Sequence, residues 1–126
     1  EMRLTNELYT ILSHDVTASG HSYTLRLNPD SFIYQAHFPG EPITPGVCLM
    51  QMGKELLEDA LQLQLDIKTV KNAKFLSVVS PKETTKLTCT LGKIESLASG
   101  SEVKAQITMA ANSEPKAKIS IICAKV

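Results

Sequence analysis

The stretch His37-Phe38-Pro39-Gly40-Glu41-Pro42-Ile43-Thr44-Pro45-Gly46-Val47, which runs without a break into an apolar segment ending at Leu63, sets the frame for the whole chain. Its first half is stiff loop. From Phe32 to Gly46 there are three prolines and two glycines, together with Phe32, Ile33, Tyr34, Phe38 and Ile43, a composition of ordered loop rather than linker. Its second half is a helix. Thr44 is placed to act as N-cap and Pro45 to take the first helical position, where a missing N–H costs nothing. Leu49, Met52, Leu56, Ala60 and Leu63 keep helical spacing, and Met50, Leu57 and Leu61 widen that stripe until little of the circumference is polar. Such a helix is wrapped by other structure.

Outward from the helix the chain reads as β. On the N-terminal side, Glu7–Val16 is a mixed apolar run and His21–Asn28 alternates, with Ala18-Ser19-Gly20 as a turn between them. On the C-terminal side, strands are expected over Thr69–Val79, Thr84–Ile94, 102–111 and Lys116–Val126. Val103, Ala105, Ile107, Met109 and Ala111 form one face of the third. Ser80-Pro81-Lys82-Glu83, Ala98-Ser99-Gly100-Ser101 and Asn112-Ser113-Glu114-Pro115 read as turns, so four consecutive strands at hairpin spacing imply an antiparallel meander. The expectation is one α+β domain over residues 1–126, its sheet curled around a central helix.

Composition narrows the function. The chain has 126 residues with 13 basic and 13 acidic side chains, so bulk positive charge cannot drive nucleic-acid binding. The halves differ: residues 1–63 carry a net −5 and residues 64–126 a net +5. Three dispersed cysteines, Cys48, Cys89 and Cys123, argue against a disulfide framework or a zinc site. No segment approaches the ~20 apolar residues of a membrane span, and no signal-peptide core is evident, so a soluble cytoplasmic protein is expected. No sequence motif points to a cofactor. His14 and His21 lack ligand spacing and read as strand-end surface residues.

The loop is where chemistry is expected. A rigid loop holding one histidine, His37, suits a general base that must be placed closely. Gly46 falls in the first helical turn, where backbone N–H groups lack partners and can polarise a carbonyl. On these residues alone, a stiff connection that happens to carry a histidine is the competing reading.

His-Phe-Pro-Gly-x-Pro-x-x-Pro-Gly-Val at a helix start resembles the signature of β-hydroxyacyl-acyl carrier protein dehydratases of fatty-acid synthesis, matching at all eleven positions. Residues 70–81 resemble the strand after the helix in that family. The resemblance implies a hotdog fold and removal of water from a 3-hydroxyacyl thioester to give a trans-2-enoyl thioester. It implies His37 as base, the carbonyl of Ile43 orienting its imidazole, and the Gly46 amide binding the thioester carbonyl, with Val47 and Phe38 also at the substrate. It implies an acyl tunnel between two subunits of a homodimer, or of a trimer of such dimers, with the acid supplied by the partner subunit's helix, and an acyl carrier protein as partner. Leu49, Met50, Met52 and Phe75 would set acyl-chain length. Lys68, Lys71, Lys74, Lys82 and Lys86 would steer an acidic carrier.

The chain departs from the family at two positions of the helix. The acid, fourteen residues after the histidine, is here Gln51, and four residues on, where the family has Gln, stands Glu55. Acid and amide are exchanged along one helical face, about 6 Å apart. Glu55 then acts as the acid, or His37 works alone with Gln51 orienting the hydroxyl, or dehydration is lost and the fold binds or hydrolyses acyl thioesters. As a plain structural residue, Glu55 would be solvated beside Lys54, Glu58 and Asp59. A hotdog thioesterase, and a non-catalytic subunit paired with an active homologue, are the alternatives.

Overall fold

Two-residue alternation builds the outer layer and the 3.6-residue stripe builds the centre. A computed structural model describes residues 3–126. Its elements are β1 (Tyr9–Thr17), β2 (Gly20–Leu27), a short α1 (Phe32–Ala36), α2 (Gly46–Leu61), β3 (Leu65–Phe75), β4 (Lys86–Leu97), β5 (Glu102–Ala111) and β6 (Glu114–Lys125). All strands pair antiparallel in one sheet of order β1-β2-β4-β5-β6-β3. The α+β hotdog arrangement, an antiparallel sheet wrapped around a central helix, is the observed fold.

β5 follows its pattern closely, with Val103, Ala105, Ile107, Met109 and Ala111 all buried. They face α2, whose Leu49, Met52, Leu56 and Leu57 are buried in the same core. The helix lies close on the sheet at Gly53. A Cβ placed there would lie 2.7 Å from Ile107 Cδ1. Cys89 and Cys123 are small buried hydrophobes in β4 and β6.

Several expectations need correction. The N-cap of α2 is Pro45, not Thr44. Thr44 is instead buried, its hydroxyl 2.7 Å from Tyr34 Oη and its N–H donating to the Val79 carbonyl at 2.8 Å. The helix stops at Leu61 because Gln62 turns left-handed, so Leu63 lies beyond it. Part of the Phe32–Gly46 loop is helical: Ser31 caps α1, its Oγ accepting from Ile33 N–H at 3.3 Å. β3 begins at Leu65 rather than Thr69, and ends at Phe75 rather than Val79.

The strands after the helix are not one meander. β4, β5 and β6 are hairpin neighbours, but β3 pairs with β6 at the far edge, from Leu65↔Lys125 to Phe75↔Ala117. Ser80-Pro81-Lys82-Glu83 is therefore part of a crossover across the sheet's end rather than a hairpin turn. Lys116, buried on β6, holds that crossover through Ser77 Oγ (3.1 Å) and the Val78 carbonyl (3.2 Å).

Candidate active site

His37 ends α1, its N–H donating to the Ile33 carbonyl at 2.9 Å. The loop beyond is closed by reciprocal backbone bonds between Phe38 and Glu41 (3.0 and 2.9 Å), and Lys82 Nζ donates to the Gly40 carbonyl at 2.7 Å. The His37–Phe38 peptide is cis. The loop is thus held by its own backbone and by the crossover, as a histidine-presenting segment requires.

Ile43 does meet His37, but through the backbone: its N–H donates to the His37 carbonyl at 2.9 Å. Among the described residues no hydrogen bond joins the Ile43 carbonyl to the imidazole. The ring instead meets the edge of Phe38, centroids 5.5 Å apart.

Two cavities flank the start of α2. One, of about 380 Å³, is lined by Leu4, Ile33, His37, Pro45, Val47, Cys48 and Gln51, and its surface is almost wholly apolar. His37 and Gln51 therefore share a cavity within a single chain. The other, of about 370 Å³, runs from Ile43 and Gly46 past Leu49 to Phe75 and Val78. Gly46 is the first residue of α2, and a Cβ on it would meet the Phe75 ring at 2.8 Å, so the ring lies directly on the glycine. Leu49 and Phe75 line this second cavity, whereas Met52 is buried in the core and Met50 packs half-buried against it. Phe38, Val47, Phe75, Leu76 and Val78 are exposed in the single chain.

Glu55 is not solvated. It is 2% exposed, and Lys54 and Glu58 are buried with it; of that group only Asp59 is exposed. Its Oε2 accepts from Leu4 N–H and Gln51 Nε2, both at 2.8 Å, and its Oε1 from Thr5 N–H (2.9 Å), Thr5 Oγ1 (2.6 Å) and Tyr9 Oη (2.9 Å). Burial alone would push its carboxyl up, but the donors from Thr5, Gln51, Leu4 and Tyr9 outweigh it and hold the group below the ordinary carboxylate range. Glu58 ties down the adjoining segments, accepting from Arg3 (3.0 Å) and Leu65 N–H (2.8 Å).

The remaining candidates lie elsewhere. His14 and His21 bond each other at 2.9 Å on the exposed hairpin, with His14 stacked on Tyr23. Glu41 sits at the loop tip, with Gly40, Pro42 and Lys82. Lys68 pairs with Glu102, and Lys71, Lys74 and Lys86 are exposed. Among the described residues no three His, Cys, Asp or Glu side chains converge to hold a metal ion, and no helix is long and apolar enough to cross a membrane. Leu4, Ile33 and Cys48 escape the sequence reading. The helical stripe does not single out Cys48, and nothing local places Leu4 beside Gln51.

Fold and loop together define a hotdog protein with a histidine and a helix N-terminus at adjoining cavities. The chain belongs to the ApeI-like family, described as ApeI dehydratase, whose model matches residues 13–114. It is similar to the 3-hydroxyacyl-[acyl-carrier-protein] dehydratase FabZ of Latilactobacillus sakei subsp. sakei, at 37% identity over 71 residues, 50% of each chain. The chain thus spans about half the length of the curated relatives it matches. Among solved structures it resembles the dehydratase heterocomplex ApeI:P from Xenorhabdus doucetiae (TM-score 0.70, 15% identity, covering 91% of this chain and 96% of that one). It equally resembles the protein described as "putative thioesterase yhdA" from Lactococcus lactis (TM-score 0.70, 12% identity, covering 99% and 98%). At such identities these two likenesses speak for the fold.

Proposed function

We propose that the chain dehydrates 3-hydroxyacyl thioesters carried on an acyl carrier protein, with His37 serving first as base and then as acid. The observation that carries this reading is the sharing of one apolar cavity by His37 and Gln51, in a chain of a dehydratase family. The Gly46 amide, at the helix start, polarises the thioester carbonyl and acidifies the C2 proton. His37 takes that proton, the C2–H pair becomes the C2=C3 bond, and the C3–O bond breaks. The departing oxygen takes the proton back from the imidazolium and leaves as water, so His37 ends as it began. Gln51 orients the hydroxyl. Glu55, an ionised acceptor with five donors, is poorly suited to give a proton.

His37 and Gly46 line different cavities in one chain, and five exposed large apolar residues crowd around them. Both facts favour a site completed by a second copy, in a homodimer or a trimer of dimers. The buried free thiols suit a reducing cytoplasm. The exposed cations Lys71 and Lys74 on β3, Lys82 at the loop and Lys86 on β4 favour an acidic carrier as partner.

The test is turnover of carrier-bound 3-hydroxyacyl thioesters. Wild type is expected to be active and His37→Ala to lose about 10²–10⁴-fold. Turnover is expected to fall with salt and with charge reversal at Lys71, Lys74 and Lys82. Release of free thiol instead of enoyl product would establish a thioesterase. A second reading, a non-catalytic subunit paired with an acid-bearing homologue, is favoured by Gln51 itself. It predicts no activity alone, and activity on mixing or in Gln51→Glu.

A further inference from the structure

The hydrogen bonds around Glu55 join two parts of the candidate site that are far apart in sequence. A carboxylate only accepts, so the end of the Gln51 amide that meets Glu55 Oε2 at 2.8 Å must be its NH₂ group. The carbonyl end is thereby turned from the carboxylate, and the amide is fixed in one of its two orientations. The same Oε2 accepts from Leu4 N–H at 2.8 Å, while Oε1 takes both donors of Thr5 and the Tyr9 hydroxyl. Leu4 lines the cavity that His37 and Gln51 also line. One buried anion therefore holds both that lining residue and the amide.

We infer that Glu55 is a positioning residue: its carboxylate holds Leu4 at the cavity and orients Gln51 as a hydrogen-bond acceptor for the 3-hydroxyl of the substrate. This deepens the dehydratase reading and rests on it. A hydroxyl that donates its hydrogen to Gln51 Oε1, which has two lone pairs, turns its own lone pairs elsewhere. Those lone pairs are then available to the proton that His37 has taken from C2. The balance of the elimination is unchanged. Gln51 neither gains nor loses a proton, and Glu55 stays an anion throughout. The exchange of acid and amide between positions 51 and 55 then has a chemical meaning. The acid has become an anchor, and the amide facing the substrate selects for the hydroxyl without protonating it.

The experiment reads recognition of the hydroxyl, which a merely structural role would not move. Affinities of the full chain for a 3-hydroxyacyl thioester and for its 3-deoxy counterpart are compared in wild type, Glu55→Gln, Gln51→Ala and the double variant, alongside kcat and KM. Wild type is expected to prefer the hydroxylated ligand about tenfold, as one oriented hydrogen bond allows. Glu55→Gln is expected to abolish that preference and to lower kcat about 10–100-fold with the affinity for the deoxy ligand kept. In the Gln51→Ala background Glu55→Gln is expected to add nothing to either loss. Should Glu55→Gln not fold, Glu55→Asp, which withdraws the carboxylate by one methylene, reads the same preference. A hydroxyl preference untouched by changes at Glu55, or equally large losses in the Gln51→Ala background, would overturn the inference. Absence of turnover with the hydroxyl preference intact and Glu55-dependent would instead sink the dehydratase reading and leave the positioning role standing.

Discussion

Replacing Gly53 by alanine tests how closely α2 lies on the sheet. In the middle of a helix this change alone should stabilise by about 0.5–1 kcal/mol, because glycine loses more backbone freedom on folding. Here the new methyl would stand 2.7 Å from Ile107 Cδ1 and 3.3 Å from its Cγ2. Ile107 is fully buried, and its partners in the sheet, Leu91 on β4 and Ile119 on β6, are buried as well, so its side chain has little room to turn. Overpacking of this kind costs about 1–3 kcal/mol, which exceeds the helical gain. Gly53→Ala should therefore destabilise by about 0.5–2 kcal/mol and lower the melting temperature by about 2–8 °C. Ile107→Val removes the nearest atom, so the double variant should recover about 1 kcal/mol relative to the sum of the single changes. The assay is urea unfolding of the four members of the cycle, with turnover measured in parallel, since a lifted helix carries Gln51 and Glu55 away from the loop. A Gly53→Ala variant more stable than wild type, or a cycle additive within about 0.5 kcal/mol, would refute the close approach.

Three further outcomes follow from the same contacts. Because the Glu55 carboxyl is held below its ordinary value, its contribution is complete above the unfolded-state value near 4.3 and fades as pH falls through the lower folded value. Urea melts between pH 7 and 3 should show Glu55→Gln less stable by about 2–5 kcal/mol at neutral pH, since one amide oxygen cannot satisfy five donors, with the gap closing in acid. Gly46→Ala pushes on the Phe75 ring at 2.8 Å. The ring is half exposed and can yield, so stability should change little while KM for the thioester rises, and Phe75→Leu should restore it. Thr44→Val strips the buried Tyr34 hydroxyl of its partner at 2.7 Å, which should cost about 1–3 kcal/mol. Adding Tyr34→Phe should recover most of that loss in thermal melts.

What was legible in the sequence was what depends on neighbours along the chain. The alternation of β5, the apolar stripe of α2 as far as Leu61 and the Pro/Gly loop after α1 are local patterns seen where expected. The order of strands is a different kind of information. Ser80-Pro81 has turn chemistry whether the chain reverses there or crosses the sheet, so the pairing of β3 with β6 could not be told from it. α1 was hidden for a related reason: Ser31 is a helix cap within a stretch that also reads as a strand break. Glu55 misled for a reason of distance. A run of Lys54, Glu55, Glu58 and Asp59 looks like a solvated face, and only the arrival of Leu4, Thr5 and Tyr9 from about 50 positions upstream makes burial of the carboxylate tolerable. The departure at Gln51 was readable as a letter, but its hydrogen bond to Glu55 shows which way the amide faces.

The edge position of β3 has a consequence for how the protein is born. Its partner strand, β6, begins its pairing at Ala117 opposite Phe75 and completes it at Lys125 opposite Leu65. During synthesis at about 5–20 residues per second, Leu65 waits roughly 3–12 s on the ribosome before the residue that pairs with it exists. Once clear of the ribosome, the nascent chain displays a bare strand beside a mostly apolar helix until β6 arrives. Its demand on holding chaperones is thus set by strand order, and a slow codon placed between β3 and β6 would lengthen the exposure where one placed before β3 would not.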